Sequence, residues 1–142
     1  MGSKNEHIET ERELEGVQYR VLLDVTEIRD YVERIAKDEW SGDDFKKYGE
    51  DLHKSDWRLE EVAVEKIRPN DDLFVTSRFQ EDLKPRILKQ REIQNKRMAI
   101  PPLILRGSDF LIFDGYARWK VLKEKGIKRC LAYVGHLFEV TE

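Results

Sequence analysis

The sequence Ile112-Phe113-Asp114-Gly115-Tyr116-Ala117-Arg118 joins a short apolar run to a helical pattern through a single glycine. Glycine lets the backbone turn sharply and lets a ligand approach it closely. The first amides of a helix have no partner within the helix, and the helix dipole favours an anion beside them. A cation in this first turn is unfavourable for the dipole, so Arg118 is better explained as a bidentate anion ligand. We therefore predict a phosphate site at this turn.

Asp114, directly before the glycine, has three candidate roles. It could cap the helix, hold a metal ion such as Mg²⁺, or accept a proton as a catalytic base. A structural interpretation competes with all three, because Asp-Gly before a helix is an ordinary turn and Arg118 could pair with any carboxylate. The six residues Phe113 to Arg118 therefore leave both a functional and a structural role open.

The pattern around this turn predicts a β-α-β-β-α-β unit over residues 61–142. In chain order its elements are a strand from Val62, a helix over 79–95 with Pro85 in its first turn or at a kink, a hairpin of 103–105 with 110–113, a helix from Tyr116 ended by Gly126, and a strand over 127–134.

Residues 1–60 form an acidic, mostly helical extension in this interpretation. We expect residues 1–15 to be mobile. Beyond them the predicted elements are a strand over 17–23, a helix from Asp24 to about Asp38 that begins with a capping box to Glu27, and a shorter helix from Asp43.

The two halves of the chain carry opposite charge. Residues 1–75 contain 12 Lys and Arg against 21 Asp and Glu, a net charge of −9, whereas residues 76–142 contain 14 against 8, a net charge of +6. The basic half would attract phosphates or DNA, and the acidic half would cover it or repel nucleic acid. Basic side chains between Lys84 and Arg97 could form a nucleic-acid patch, although we favour an ordinary solvated helix face.

The sequence argues against an internal disulfide, a membrane-spanning segment, a signal peptide and a structural zinc site. Cys130 is the single cysteine, so no internal disulfide is expected and a reducing compartment is the default. No stretch approaches about 18 apolar residues, and residues 1–6 lack the apolar core of a signal peptide. His7, His53 and His136 have no ligand spacing, so a structural zinc site is not expected. We predict a cytoplasmic chain with no membrane partner.

The residues 112–118, followed by Val121 to Lys128 and a last strand, resemble the ParB/sulfiredoxin superfamily. Upstream, Ile67-Arg68-Pro69-Asn70, Arg78-Phe79 and Pro102-Leu103-Ile104-Leu105 are similar to the earlier motifs of that superfamily. The resemblance covers about residues 61–135. It implies an α+β fold of ParB/sulfiredoxin type, with a small mixed sheet and helices, to which the N-terminal helical extension is added.

The resemblance implies a nucleotide at the Gly-x-x-Arg turn: ATP, ADP or CTP, with Mg²⁺ as a candidate companion. Backbone N–H groups of Gly115, Tyr116 and Ala117 would meet the phosphates, and Arg118 would clamp them. Arg78 would give a second phosphate contact. Asp114 would orient the metal ion or act as a base, and Asp72 is a second catalytic candidate by analogy with free-serine kinases, as is its neighbour Asp71.

Differences between this sequence and the superfamily's motifs argue against some of the activities found in that superfamily. Sulfiredoxins carry a catalytic cysteine where this chain has Tyr116, so sulfinate reduction is not expected. Free-serine kinases carry two histidines where this chain has Tyr116 and Ala117, which weakens the kinase interpretation. ParB proteins bind CTP at this turn and have a helix-turn-helix domain after it, which this sequence lacks.

Binding is therefore favoured over catalysis, and the enzyme question stays open between a phosphotransferase and a nucleotide hydrolase. A ParB-like DNA-binding or nuclease module, using the basic half, is an alternative. So is a plain interaction domain that keeps the turn for folding alone. The pattern also allows a homo-oligomer.

Overall fold

The computed structural model describes residues 9–39, 42–69 and 77–137, and only the backbone of residues 39, 43–45, 47 and 77–82. Its elements, in chain order, are β1 (Thr10–Leu14), β2 (Val17–Val21), α1 (Val25–Glu39), α2 (Gly42–Lys54), β3 (Ser55–Ala63), a 3-10 turn (Val64–Lys66), α3 (Ser77–Asn95), β4 (Leu103–Arg106), β5 (Ile112–Asp114), α4 (Tyr116–Glu124) and β6 (Arg129–Leu137).

The main sheet has four strands in the order β3-β6-β4-β5. β6 pairs antiparallel with β3 and parallel with β4, and β4 pairs antiparallel with β5. The predicted hairpin and the predicted β-α-β-β-α-β order are therefore confirmed. The sheet is mixed and small, and the chain has the α+β fold that the sequence predicts.

Strand β6 lies in the interior of the sheet and is buried from Cys130 to Gly135. Because successive side chains of a strand point to opposite faces, it contributes to two cores. Ala132 and Val134 belong to the core that contains β2 and α4, whereas Tyr133 belongs to the core that contains α1 and α2. The sheet is thus covered on both faces.

The N-terminal segment supplies one of these covering layers. Helices α1 and α2 pack on the sheet through buried side chains such as Ile28, Val32 and Leu52. The indole Nε1 of Trp57 in β3 donates to the Leu52 carbonyl at 3.0 Å, which ties α2 to the sheet. The boundary predicted near residue 60 falls inside β3, which continues from Ser55 to Ala63.

The expectation that residues 1–15 are mobile is wrong for residues 10–14, which form β1 and pair with β2. The two strands are joined by Glu15 and Gly16, both at positive φ, as in the tight two-residue turns of hairpins. Asp or Asn is the usual partner of glycine in such a turn, so Glu15 gave a weak signal. Residues 1–8 lie outside the described residues.

The predicted N-cap of α1 and the predicted stop of α4 are confirmed. The carboxylate of Asp24 accepts a hydrogen bond from the Glu27 N–H at 3.0 Å and so caps α1. Gly126 follows α4 at positive φ. Pro85 lies well inside α3, which begins at Ser77 instead of later, and the Pro85 ring is exposed. None of the described helices is long and apolar enough to cross a membrane.

The close approach of Gly135 to Trp57 gives a test of this packing. A Cβ atom at residue 135 would lie 2.7–2.8 Å from three ring atoms of Trp57, so Gly135→Ala should overpack the core. We expect a loss of about 2 kcal/mol in the free energy of unfolding, measured by urea denaturation. Gly42→Ala is the control, because its Cβ meets nothing within 4 Å and should change stability by less than about 0.5 kcal/mol. Equal midpoints for the two variants would contradict the packing.

Candidate functional site

The turn between β5 and α4 has the geometry that the sequence indicates. Gly115 has φ 103° and ψ 27°, a left-handed conformation that side chains other than glycine rarely adopt. The Trp119 N–H donates to the Gly115 carbonyl at 2.9 Å, which is the first hydrogen bond of α4. The amides of residues 116–118 therefore belong to the positions that have no acceptor within a helix.

Arg118 folds back over this turn. Its Nη2 donates to Asp114 Oδ2 at 3.0 Å and to the Pro102 carbonyl at 3.4 Å. The side chains of Arg118 and Asp114 are 13% and 23% exposed, so the ion pair is largely shielded from solvent. The Nε of Arg118 is buried and has no hydrogen-bond partner within the described part of the chain.

The structure decides between some of the roles considered for Asp114. No side chain caps the N-terminus of α4, so Asp114 is not the cap. Its carboxylate instead holds Arg118, as the structural interpretation of the pair allowed. Metal binding by Asp114 stays a prediction, and no group of three or more His, Cys, Asp or Glu side chains that could hold a metal ion occurs within residues 9–39, 42–69 and 77–137.

Three tyrosines lie near enough to Arg118 for its charge to act on them. Burial raises the pKa of Tyr19, Tyr31 and Tyr133, the last to about 12, while the positive charge of Arg118 opposes the rise in each. The rings of Tyr31 and Tyr133 meet edge-on with centroids 5.7 Å apart. Tyr133 Oη accepts a hydrogen bond from the Leu22 N–H at 2.8 Å.

These contacts join Leu22, directly after β2, and Tyr31 of α1 to Tyr133 of β6. Tyr133 is buried in the core on the α1 side of the sheet, and Tyr31 packs against that core. The sequence did not indicate that either residue lies near Arg118. Helical spacing and strand alternation indicate which side chains are inward, but they carry no information about which loop lies opposite them.

Other predicted site residues are not joined to the turn by any described contact. Arg78 lies in α3, but its side chain is outside the described residues, as are Asp71 and Asp72. The basic side chains of α3 and its C-terminal end are exposed, as both a solvated face and a nucleic-acid patch require: Lys84, Arg86, Lys89, Arg91, Lys96 and Arg97. Trp119 is buried in the core, and Phe138 lies outside the described residues.

Four solved chains match this one, among them two structures of a pNOB8-like ParB N-domain. One, in a C2221 form, has 20% sequence identity and a TM-score of 0.41, and the match covers 58% of this chain and 31% of that one. The other has 21% identity and a TM-score of 0.40, and covers 56% and 27%. The chain thus spans less than a third of either solved chain. Likenesses of this extent concern the arrangement of helices and strands alone.

No family model matches the sequence, and no curated protein is similar to it. The chemistry of the site therefore depends on its own geometry.

The reactivity of the Cys130 thiol tests whether the core is closed to solvent. It is fully buried, and burial raises the pKa of its thiol to about 12. Since the thiolate is the nucleophile, its fraction in the folded chain should be about 10³-fold below that of a free thiol of pKa 9.0. We expect almost no reaction with a disulfide reagent at pH 8, and rapid reaction once guanidinium unfolds the chain. Equal rates before and after unfolding would show that Cys130 is accessible.

Proposed function

We propose that the chain binds a nucleotide whose phosphates lie at the turn formed by residues 115–118. The supporting observation is the guanidinium of Arg118, held at the N-terminus of α4 with a buried Nε that lacks a partner in the described structure. A buried donor without an acceptor is unfavourable. A phosphate oxygen would accept from this donor, beside amides where the helix dipole favours negative charge.

Asp114 makes a cation part of the same proposal. Its carboxylate lies 3.0 Å from Arg118, so it would also lie beside a phosphate bound to that side chain. Two neighbouring anions repel each other, and a Mg²⁺ ion shared by carboxylate and phosphate would remove the repulsion. The nucleotide would be ATP, ADP or CTP, bound with Mg²⁺. Arg78 is retained as a second phosphate contact and Asp72 as an acidic neighbour.

Calorimetric titration of the chain with ATP, ADP and CTP, with and without Mg²⁺, tests the proposal. At least one nucleotide should bind, and Arg118→Ala should weaken it by about 10-fold to 100-fold, because a charge-assisted hydrogen bond contributes ~1.5–3 kcal/mol. Arg118→Lys keeps the charge and loses the planar guanidinium, so its nucleotide affinity should lie between those of the wild type and Arg118→Ala. Asp114→Asn should reduce the dependence of nucleotide affinity on Mg²⁺.

Arg91→Ala is the matched control. Arg91 carries the same charge in the same basic half, and its guanidinium donates to Glu124 on the surface at 2.7 and 2.9 Å. Its loss should leave nucleotide affinity unchanged. No heat with any of the three nucleotides, or equal affinity in folded Arg118→Ala and the wild type, would refute the proposal. Melting curves of each variant confirm that it is folded.

A ParB-like DNA-binding or nuclease module is the second candidate. It is favoured by the exposed basic side chains of α3, among them Lys84, Arg86 and Lys89. Such binding would depend on phosphate contacts and would fall steeply with salt. A gel-shift assay at low salt separates the two candidates, since no shift at any protein concentration would exclude the DNA module.

A small-molecule kinase of the free-serine type is the third candidate. It would use Asp114 as base, and this carboxylate is already engaged by Arg118. Turnover of ATP in the presence of a hydroxyl acceptor, abolished in Asp114→Asn, would favour catalysis over binding. A cytoplasmic location is part of the proposal, because Cys130 is a free thiol.

A further inference from the structure

Three arginines from different parts of the chain lie close to one phenol. Tyr31 in α1 is half-buried, and burial raises the pKa of its hydroxyl. The positive charges of Arg118, Arg34 and Arg20 oppose this rise, and the negative charge of Asp114 adds to it. Because the effect of a charge falls with distance, all four charged groups lie near the Tyr31 hydroxyl. Arg118 and Asp114 belong to the turn between β5 and α4, whereas the other two arginines belong to the N-terminal segment.

The contacts of the Tyr31 ring agree with this convergence. The guanidinium carbon of Arg34 lies 5.6 Å from the centroid of the Tyr31 ring, and the ring of Tyr133 meets it edge-on. Tyr133 is opposite Ile104 in β4, and Ile104 is opposite Asp114 in β5, so these three residues form a row across the sheet. Two strand spacings, ~10 Å, therefore separate the backbones of Tyr133 and Asp114.

Arg20 is held in this region by the backbone of β2. Side chains alternate along a strand, and Tyr19 belongs to the core that contains α4, so Arg20 points to the opposite side of β2. The backbone N–H of Arg20 donates to the Ile100 carbonyl at 3.0 Å. Two residues later, the Pro102 carbonyl accepts the hydrogen bond of Arg118. The backbone of Arg20 and the guanidinium of Arg118 are thus joined to carbonyl groups only two residues apart in the chain.

The two arginines of the N-terminal segment are available to a ligand. Arg20 and Arg34 are exposed, and neither forms an ion pair within the described residues. The carboxylate of Asp114 is engaged by Arg118, and Glu9 adds one more negative charge, which acts on the neighbouring tyrosine of β6. Among the described groups that act on the two tyrosines, positive charge is therefore in excess. Arginine suits phosphate in particular, because its planar guanidinium can donate two parallel hydrogen bonds.

We propose that Arg20 and Arg34 bind the outer phosphates of a nucleotide whose first phosphate lies at Arg118, so that the site selects di- and triphosphates over monophosphates. This inference rests on the proposed nucleotide site and deepens it. Guanidiniums that surround one phenol offer separate donors to successive phosphates, and each added phosphate brings negative charge that a further cation offsets. The N-terminal segment is then part of the binding site as well as a layer on the sheet.

Calorimetric titration with nucleotides that differ only in phosphate number tests the proposal: AMP, ADP and ATP, and CMP, CDP and CTP. The titrations are made with Mg²⁺ at 0.15 M salt, where charges more than ~8 Å apart are largely screened. Arg20→Gln and Arg34→Gln should each weaken triphosphate binding about 10-fold, since each removes a charge-assisted hydrogen bond. Both variants should bind the monophosphate as the wild type does.

Arg29→Gln is the matched control. Arg29 is exposed on the same helix as Arg34 and carries the same charge, but its Nε donates to Glu33 at 3.5 Å. Its loss should leave the ratio of triphosphate to monophosphate affinity unchanged. Arg34→Lys keeps the charge beside Tyr31 and loses the planar guanidinium, so its triphosphate affinity should lie between those of the wild type and Arg34→Gln. Melting curves confirm that each variant is folded, because the contact of Arg34 with the Tyr31 ring also contributes to stability.

The same titrations separate this inference from the proposed function. If nucleotides bind the wild type and Arg118→Ala weakens all of them, the nucleotide site at the turn is supported. Wild-type triphosphate affinity in the double variant of Arg20→Gln and Arg34→Gln, or equal losses for monophosphate and triphosphate, would then overturn this inference alone. If no nucleotide binds, or if Arg118→Ala binds every nucleotide as the wild type does, both proposals fail.

Discussion

Gly115 has φ 103°, a backbone conformation that residues with a side chain rarely adopt, so the path from β5 into α4 favours glycine. A Cβ atom at residue 115 would also lie 2.5 Å from Leu103 Cδ2 and 2.8 Å from Arg118 Nη2. The absence of a side chain lets Arg118 fold back and join Asp114 at the end of β5 to the Pro102 carbonyl before β4. The ion pair is largely buried, and breaking one side of such a pair is more costly than breaking a surface pair. The turn therefore connects β5 to α4 and also holds the positively charged guanidinium of Arg118 at the N-terminus of α4.

Residues of the N-terminal segment lie near this turn. Tyr133 in the central strand accepts from the Leu22 backbone and meets Tyr31 of α1 edge-on, and the charge of Arg118 acts on both hydroxyls. The segment thus covers the face of the sheet from which Phe113 also packs into the core. Tyr31 of α1 thus lies close enough to Arg118 and Asp114 for their charges to act on its hydroxyl.

Much of the fold could be predicted from the sequence because its signals are local. The cap at Asp24, the glycine after α4 and the short apolar runs of β4 and β5 are each set by neighbouring residues, and each prediction is confirmed. β1 was missed because it is exposed and charged and is held by its pairing with β2. At the site, the turn could be predicted from the sequence. The burial of Arg118 and the presence of tyrosines near it could not, because both depend on packing between distant segments.

The turn at Gly115 combines two features that favour a phosphate. One is a helix N-terminus, and the other is a guanidinium whose buried Nε has no hydrogen-bond partner within the described residues. The most direct measurement is a crystal structure of the chain grown with Mg²⁺ and CTP or ATP. We predict phosphate oxygens against the amides of residues 115–118, with Arg118 donating to them and a metal ion between the phosphates and Asp114. A nucleotide bound elsewhere, with Arg118 still paired to Asp114 at 3.0 Å, would contradict the proposal.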